Sequence, residues 1–295
     1  MTRLLPLLAV LGSLVLVACG SDDKTSETST TAAPAATTAV PAATTAADAC
    51  DKASLKTYAS GTLTVATDKP AYPPYFSDDD PTNGKGFESA VAYAIADKLG
   101  FSKDEVKWIV VPFNASYAPG PKKFDFDVNE ISITPKRAER VDFSSSYFSA
   151  PQAVVLPKGS TVDVTSLADL SKLKLGVQVG TTSLDAVQEE IKPSQTPSVF
   201  DNSNDVVQAL KQNRVDGVVV DLPTAFYVTA AQVSGSTIAG QFQAPGGDEW
   251  GALLTKDSPL TACVSKAVDE LKSSGELDKI QSRELGKAAG APELQ

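Results

Sequence analysis

Short apolar runs separated by polar turns recur along most of the chain, and their spacing switches between two periods. Thr62 to Thr67, TLTVAT, predicts a buried strand that delivers Asp68 at its carboxyl end, and the Pro-rich stretch Pro70 to Pro74 cannot continue it. After a turn containing Asn83 and Gly84, apolar residues at Phe87, Val91, Ala94, Ile95 and Leu99 predict an amphipathic helix closed by Gly100. Trp108 to Val111 is the next strand. Val128, Glu130, Ser132 and Thr134 then alternate with Asn129, Ile131 and Ile133, predicting a strand with one polar face that Pro135 ends. Arg137 follows on a short helical turn beside small hydroxyls, where a planar guanidinium can hold a carboxylate through two parallel hydrogen bonds. A surface arginine capping that turn is the plainer alternative.

A second series begins at Leu173 to Val179, LKLGVQV, a strand followed by Gly180-Thr181-Thr182-Ser183 and a helix from Leu184 to Ile191. The hydroxyls cap that helix, and its free amides point where a carboxylate can dock, an arrangement that also occurs as purely structural capping. Helix Asp205 to Gln212, strand Val215 to Val220 and helix Pro223 to Gln232 repeat the motif, with Asp221 where the strand ends. Gly251 to Thr255 and helices from Pro259 and from Gly275 complete the body, and no internal sequence repeat is convincing. Strands alternating with helices predict an α/β fold with ligands at the carboxyl edge of the sheet.

Composition narrows the chemistry. The formal net charge is −10 without a Lys/Arg cluster, which argues against nucleic acid or an anionic lipid surface as partner. There is no histidine, so Ser-His-Asp and Cys-His nucleophiles, HExxH metal sites and the usual general base are excluded, and no zinc-type cysteine cluster exists. Neither a metal nor a cofactor is expected. At the front, Leu4 to Val17 is an apolar run behind Arg3, too short for a comfortable membrane span and of the length of a secretory leader. Its end, Leu16-Val17-Ala18-Cys19, resembles the lipobox of bacterial lipoproteins, which implies lipidation of Cys19; a leader followed by a chance cysteine is the alternative.

From Gly20 to Ala49 the chain is Thr, Ala, Ser and Pro with early acidic residues, predicting a disordered tether whose ends lie on the order of 30 Å apart. With Cys19 assigned to lipid, Cys50 and Cys263 remain as an even pair in an exported, oxidising setting, and a disulfide is expected. A buried free thiol is the alternative, since Cys263 falls on the apolar stripe Leu260, Val264, Ala267, Val268 and Leu271. The bridge would close a very long loop, worth about 5 kcal/mol in the chain-entropy model.

The order ATD at Ala66 to Asp68, YPPY at Tyr72 to Tyr75, GFE at Gly86 to Glu88, SITPKR at Ser132 to Arg137, DFS at Asp142 to Ser144, LGVQVGTTS at Leu175 to Ser183 and DGVVVDLP at Asp216 to Pro223 resembles the extracytoplasmic solute-binding proteins of polar amino-acid ABC importers. The likeness runs from Leu63 to about Leu285. It implies a two-lobed, type II periplasmic-binding-protein-like α/β fold with the ligand cleft between lobes and crossovers near Ala150 to Val154 and Gln243 to Gly246. The expected division is 1–18 leader, 19–49 lipidated cysteine and tether, 50–150 first part of lobe 1, 151–243 lobe 2, 244–287 return to lobe 1, and 288–295 C-terminal tail.

By position, the resemblance makes Arg137 the clamp on the ligand α-carboxylate, helped by Ser132 and by backbone amides near Thr181 and Thr182, and Asp221 the acceptor of the α-ammonium. Phe113 and Tyr72 stand where aromatic rings sandwich the ligand, Tyr72 one residue off the usual spacing after Asp68. Asp68 is placed at the ligand's distal polar end, and Gln178 beside the cleft. A zwitterion buried between lobes must have both charges matched, or desolvation forbids binding.

Two departures bear on the ligand. Glu130 stands where glycine or serine is common and adds a third carboxylate beside one arginine, favouring a basic or neutral-polar amino acid unless Glu130 is turned away or protonated by burial. Asn114 to Lys123, NASYAPGPKK, replaces a regular helix with a Pro/Gly-broken loop.

The expected function is capture of an amino acid by hinge closure and delivery to a membrane ABC permease, by a lipid-anchored monomer on the extracytoplasmic face of the cell membrane. The rivals are a cyclohexadienyl-dehydratase-like enzyme with Glu130 as its acid, a sensory lipoprotein on the same fold, and a binder of non-amino-acid cations.

Overall fold

Two mixed sheets organise residues 49–286 and 291–295, which the computed structural model describes. The expected leader, the lipidated Cys19 and the tether through residue 48 lie outside the described residues. The first half of the chain supplies β1 (Leu63–Thr67), β2 (Val106–Val110), β3 (Phe126–Asp127) and β4 (Val141–Ser149). The chain then builds β5 (Gln152–Leu156), β6 (Leu175–Gln178), β7 (Ser198–Phe200), β8 (Gly217–Asp221) and β9 (Thr237–Phe242) before returning as β10 (Glu249–Thr255).

The strand orders are β2-β1-β3-β10-β4 in one sheet and β7-β6-β8-β5-β9 in the other. In each, three neighbouring strands pair in parallel, β2-β1-β3 and β7-β6-β8, and a strand that adjoins a crossing lies antiparallel between the third of them and the edge strand: β10 between β3 and β4, β5 between β8 and β9. The fold is therefore a two-lobed α/β architecture. The crossings are residues 150–151 and 243–248; the first is shorter than expected, because Gln152 already begins β5.

The helices are α1 (Phe87–Lys98), α2 (Phe113–Ser116), α3 (Pro135–Ala138), α4 (Leu167–Leu170), α5 (Thr182–Ala186), α6 (Ser203–Lys211), α7 (Leu222–Tyr227), α8 (Thr261–Ser273) and α9 (Glu276–Glu284). α1, α8 and α9 cover one face of the first sheet, burying Leu63, Val65, Phe87, Val264 and Leu271 around a fully buried Trp250. In β8 the period-2 rule divides Val218 and Val220 from Val219, so the second sheet has an apolar core on each face. The helices expected over Leu184 to Ile191 and Pro223 to Gln232 are shorter: each ends after its first turns and continues as a single π turn, Val187–Ile191 and Val228–Gln232. Among the described residues, no helix is long and apolar enough to cross a membrane.

One expected strand is absent. The alternation from Val128 to Thr134 does not extend β3, which stops at Asp127. Beyond it Glu130 takes a φ of 50° and Ser132 makes an isolated bridge to Trp250. A positive φ lies outside the extended region, so the chain turns at Glu130 and the run cannot continue as one strand, although buried Val128 and Ile131 on either side of it enter different cores.

Both chain ends of the body are secured. Cys50 and Cys263 form the expected disulfide, with a Cα–Cα distance of 5.3 Å, joining the entry of the body to α8. Residues 291–295 do not hang free but lie along the second sheet. Gln241 donates to the Pro292 carbonyl at 2.8 Å and accepts from the Leu294 amide at 2.8 Å, while the Leu167 amide donates to the Gln295 carbonyl. Leu294 is 5% exposed, and a Cβ at Gly240 would come within 2.5 Å of its side chain, so glycine is what lets the tail approach. Leu294→Ala is expected to cost about 2–3 kcal/mol, read as a lower urea midpoint, because the sheet cannot close over the gap left behind.

Candidate ligand-binding site

The carboxyl ends of β1, β6 and β8 converge on one cavity between the sheets, and all ten residues singled out from the sequence line it. The first lobe brings Asp68 from the end of β1, Tyr72 from the loop beyond, Phe113 from the start of α2, Glu130 and Ser132 from the segment after β3, and Arg137 from α3. The second brings Gln178, which ends β6, Thr181 and Thr182 at the start of α5, and Asp221, which ends β8.

Arg137 is fixed by local rules. Thr134 caps α3, its hydroxyl accepting from the Arg137 amide at 3.2 Å, and Pro135 occupies the first turn where no amide partner is needed. The side chain is 7% exposed. Its guanidinium donates to the Ser132 carbonyl at 2.7 Å and, across the cleft, to the Gly180 carbonyl at 3.0 Å. The rings of Phe113 and Tyr117 stand 5.5 and 4.7 Å from it. Burial pulls its pKa down, and Tyr117, Asp185 and Asp221 oppose that pull. Arg137 and Asp221 thus share one cavity and one field.

Asp221 is held from below. Gln152, fully buried at the start of β5, donates from its amide to Asp221 at 2.8 Å and to Asp248 at 3.0 Å, and accepts from the Ser183 hydroxyl at 2.5 Å. Burial lifts the Asp221 pKa to about 7, with Asp248 adding to the rise and the Gln152 hydrogen bond resisting it. Asp68 is turned towards backbone, accepting from the Lys69 amide at 2.6 Å and the Phe113 amide at 3.2 Å, and so positions the ring of Phe113.

Several bonds already join the lobes. The hydroxyls of Ser132 and Thr182 lie 3.2 Å apart, Tyr72 donates to the Gln232 side chain at 2.5 Å, and Tyr75 pairs with Thr224 at 2.9 Å. The Thr181 side chain caps its own helix by accepting from the Leu184 amide, and Gln178 accepts from Ser203 at 2.8 Å.

Beneath the first-lobe wall lies an acidic cluster. Glu88 and Asp127 are both fully buried. Glu88 accepts from the Glu130 amide at 2.7 Å and from the Tyr147 hydroxyl. Burial raises Glu88 to about 7 against those bonds, and raises Glu130 and Asp127 well above the carboxylate range, with like charges nearby adding to the rise. The surplus negative charge expected from Glu130 is therefore muted by protonation.

Four contributors escaped the reading of the sequence. Glu88 was visible only as the last letter of GFE, and Gln152 sits in an unremarkable apolar strand. Tyr117 belongs to the broken loop after Phe113, and Asn129, whose side-chain amide is buried without a partner, looked like part of a strand.

The family model for bacterial extracellular solute-binding proteins, family 3, matches residues 63–287, and the chain belongs to that family. The arginine-binding extracellular protein ArtP of Bacillus subtilis (strain 168) is 28% identical over 203 residues, spanning 67% of this chain and 76% of that protein. The lysine/arginine/ornithine-binding periplasmic protein of Escherichia coli (strain K12) is 27% identical over 231 residues, 75% of this chain and 86% of the relative. Among solved structures, an ancestral arginine-binding protein bound to glutamine superposes with a TM-score of 0.65 at 36% identity, covering 77% of this chain and 99% of that one. An ancestral amino acid-binding protein described as a precursor of cyclohexadienyl dehydratase gives 0.64 at 30% identity over 76% of this chain and 95% of its own.

The raised carboxyl groups make a prediction about stability. Glu88, Asp127, Glu130 and Asp221 all hold protons more tightly when folded than when unfolded, so their contribution is complete only below the unfolded carboxylate pKa, about 4, and is lost progressively as pH rises from there through their folded pKa values, about 7 for Glu88 and Asp221. The ligand-free melting temperature is expected to fall by roughly 5–10 °C between pH 5.5 and pH 8. Thermal unfolding across that range checks the sign.

Proposed function

We propose that this protein captures a cationic α-amino acid, with L-arginine as the first candidate, by closing its two lobes on it, and passes it to a membrane ABC importer. The observation that carries this reading is that Arg137 and Asp221 line one cavity from opposite lobes. Arg137 supplies the clamp for the α-carboxylate beside the Ser132 and Thr182 hydroxyls, and Asp221, seated on Gln152, receives the α-ammonium. Phe113 and Tyr72 offer ring surface to the ligand's stem. Even with Glu130 protonated, Asp68 and Asp221 face one guanidinium, Arg137, among the residues that line the cavity, which disfavours glutamate or aspartate and suits a side chain with its own positive charge. Relatives whose names specify arginine or the lysine/arginine/ornithine group support the same choice. Closure follows from differential affinity: a ligand that touches both lobes favours the state in which both are close.

The extracytoplasmic setting accords with the family and with the Cys50–Cys263 bridge, and attachment through a lipidated Cys19 belongs to the same proposal. The dehydratase reading draws on the acid Glu130 in the cavity wall and on the likeness to the dehydratase precursor. Capture is favoured over it because Asp221 supplies an acceptor for an ammonium that a prephenate-type substrate does not carry. Turnover of prephenate by the purified protein would reverse that preference.

Isothermal calorimetry tests the assignment. L-Arginine is expected to bind the wild-type protein, and Arg137→Ala to weaken it by at least about 100-fold while the circular dichroism spectrum is unchanged, as the loss of a charge-assisted bidentate contact predicts. Undiminished binding by Arg137→Ala would remove the clamp from the site.

A further inference from the structure

Glu130 has a place in the cleft wall that clamping an amino acid at its two charged ends does not require. It carries a φ of 50°, a backbone region that residues other than glycine seldom occupy, directly beside the fully buried Glu88. The Glu130 amide donates to Glu88 Oε1 at 2.7 Å, and Glu88 Oε2 and Glu130 Oε1 are both buried without a donor. Two carboxylates have only acceptors and cannot satisfy one another, and leaving both oxygens charged and without a donor is costly, so one of the pair holds a proton.

The surrounding donors decide which one. Glu88 Oε1 receives both the Glu130 amide and the Tyr147 hydroxyl, and each favours an ionised Glu88. Glu130 Oε1 is buried without any partner. Glu130, which receives neither donor and lines the cavity, is therefore the acid beside the Glu88 carboxylate. The other groups that bear on Glu130 deepen this preference: Asp68 from the end of β1 and Asp221 across the cleft repel a second charge. Asp127 on β3 adds to the acidity around Glu88, and the phenols of Tyr72, Tyr75 and Tyr147 face the pair as neutral groups. The cation of the cavity, Arg137, is engaged with the Ser132 and Gly180 carbonyls.

We propose that the proton shared by Glu130 and Glu88 is the cleft's sensor of positive charge: it is held in the empty protein and lost to solvent when a cationic amino acid closes in, so that capture releases a proton. This rests on the cationic reading above. The balance is simple: the O–H bond of Glu130 breaks, the proton passes to buffer, and the ligand's positive charge takes its place against the newly formed carboxylate. By linkage, a group deprotonated on binding makes affinity rise with pH, by up to tenfold per unit in the interval where the free form is protonated and the bound form is not.

Calorimetry of L-arginine at pH 8, in phosphate and in Tris, reads the proton count from the dependence of the heat on buffer ionisation enthalpy. At this pH Glu88 and Asp221, both at about 7, are largely ionised already, and the comparison with Glu130→Gln separates the Glu130 proton from any that Asp127 releases. The wild-type protein is expected to release about one proton more than Glu130→Gln, whose amide can donate to Glu88 but cannot leave. Equal counts in the two proteins would overturn the proposal. Tyr147→Phe provides a second arm that keeps both carboxyls: losing a donor to Glu88 should move the pH at which arginine affinity levels off upward, and an unmoved plateau would count against the shared proton. Absence of arginine binding in the wild type would instead refute the cationic reading, and this proposal with it.

Discussion

A guanidinium drawn out of water must be given acceptors, and in this protein the acceptors come from both lobes. Arg137 spends one donor on the Ser132 carbonyl of its own lobe and another on the Gly180 carbonyl of the other. The rings of Phe113 and Tyr117 cover its faces, replacing hydration with weaker but directional attraction. Because neither carbonyl carries a full charge, the cation is solvated without being neutralised. It keeps both its positive field and unspent donors for an anionic group entering the cleft.

The same economy governs the opposite wall. Asp221 is not paired with a cation; it rests on the Gln152 amide, which is in turn oriented by Ser183 and shared with Asp248. Gln152 opens β5 immediately after the first crossing, and Asp248 lies at the end of the second, so the support of this carboxylate is built from the hinge itself. A rotation at the crossings acts directly on the Gln152–Asp248 bond and so on the support beneath Asp221. The bonds Ser132–Thr182, Tyr72–Gln232 and Tyr75–Thr224 are of the kind that opening would exchange for water at modest net cost, which keeps the two arrangements close in free energy.

Much of this was legible in the chain. Strands β1, β6 and β8 announced themselves as apolar runs, and the residues at their carboxyl ends, Asp68, Gln178 and Asp221, had to fall along one edge once those strands were parallel in their sheets. The motif around Arg137 was equally plain, because Thr134 and Pro135 are strong helix-start signals. What stayed hidden depended on contacts distant in sequence. Glu88 and Glu130 are 42 positions apart, and nothing in either local pattern indicates that their carboxyls meet. The alternation around Glu130 looked like a strand because apolar and polar residues can interleave in a loop that feeds two different cores, as Val128 and Ile131 do. β9 and the tail that lies on it were missed for a related reason: Gly240 is a poor strand residue until Leu294 is seen to occupy the space above it.

The Cys50–Cys263 bridge settles where force can enter the molecule. Tension drawn through the chain upstream of Ala49 would reach the fold at Cys50 and pass through a covalent bond into α8, which packs on β4 of the first sheet. The first lobe would thus act as the moored half. The second, joined to it by the two crossings and bearing the last five residues on its own edge, would be left to swing without dragging on the mooring.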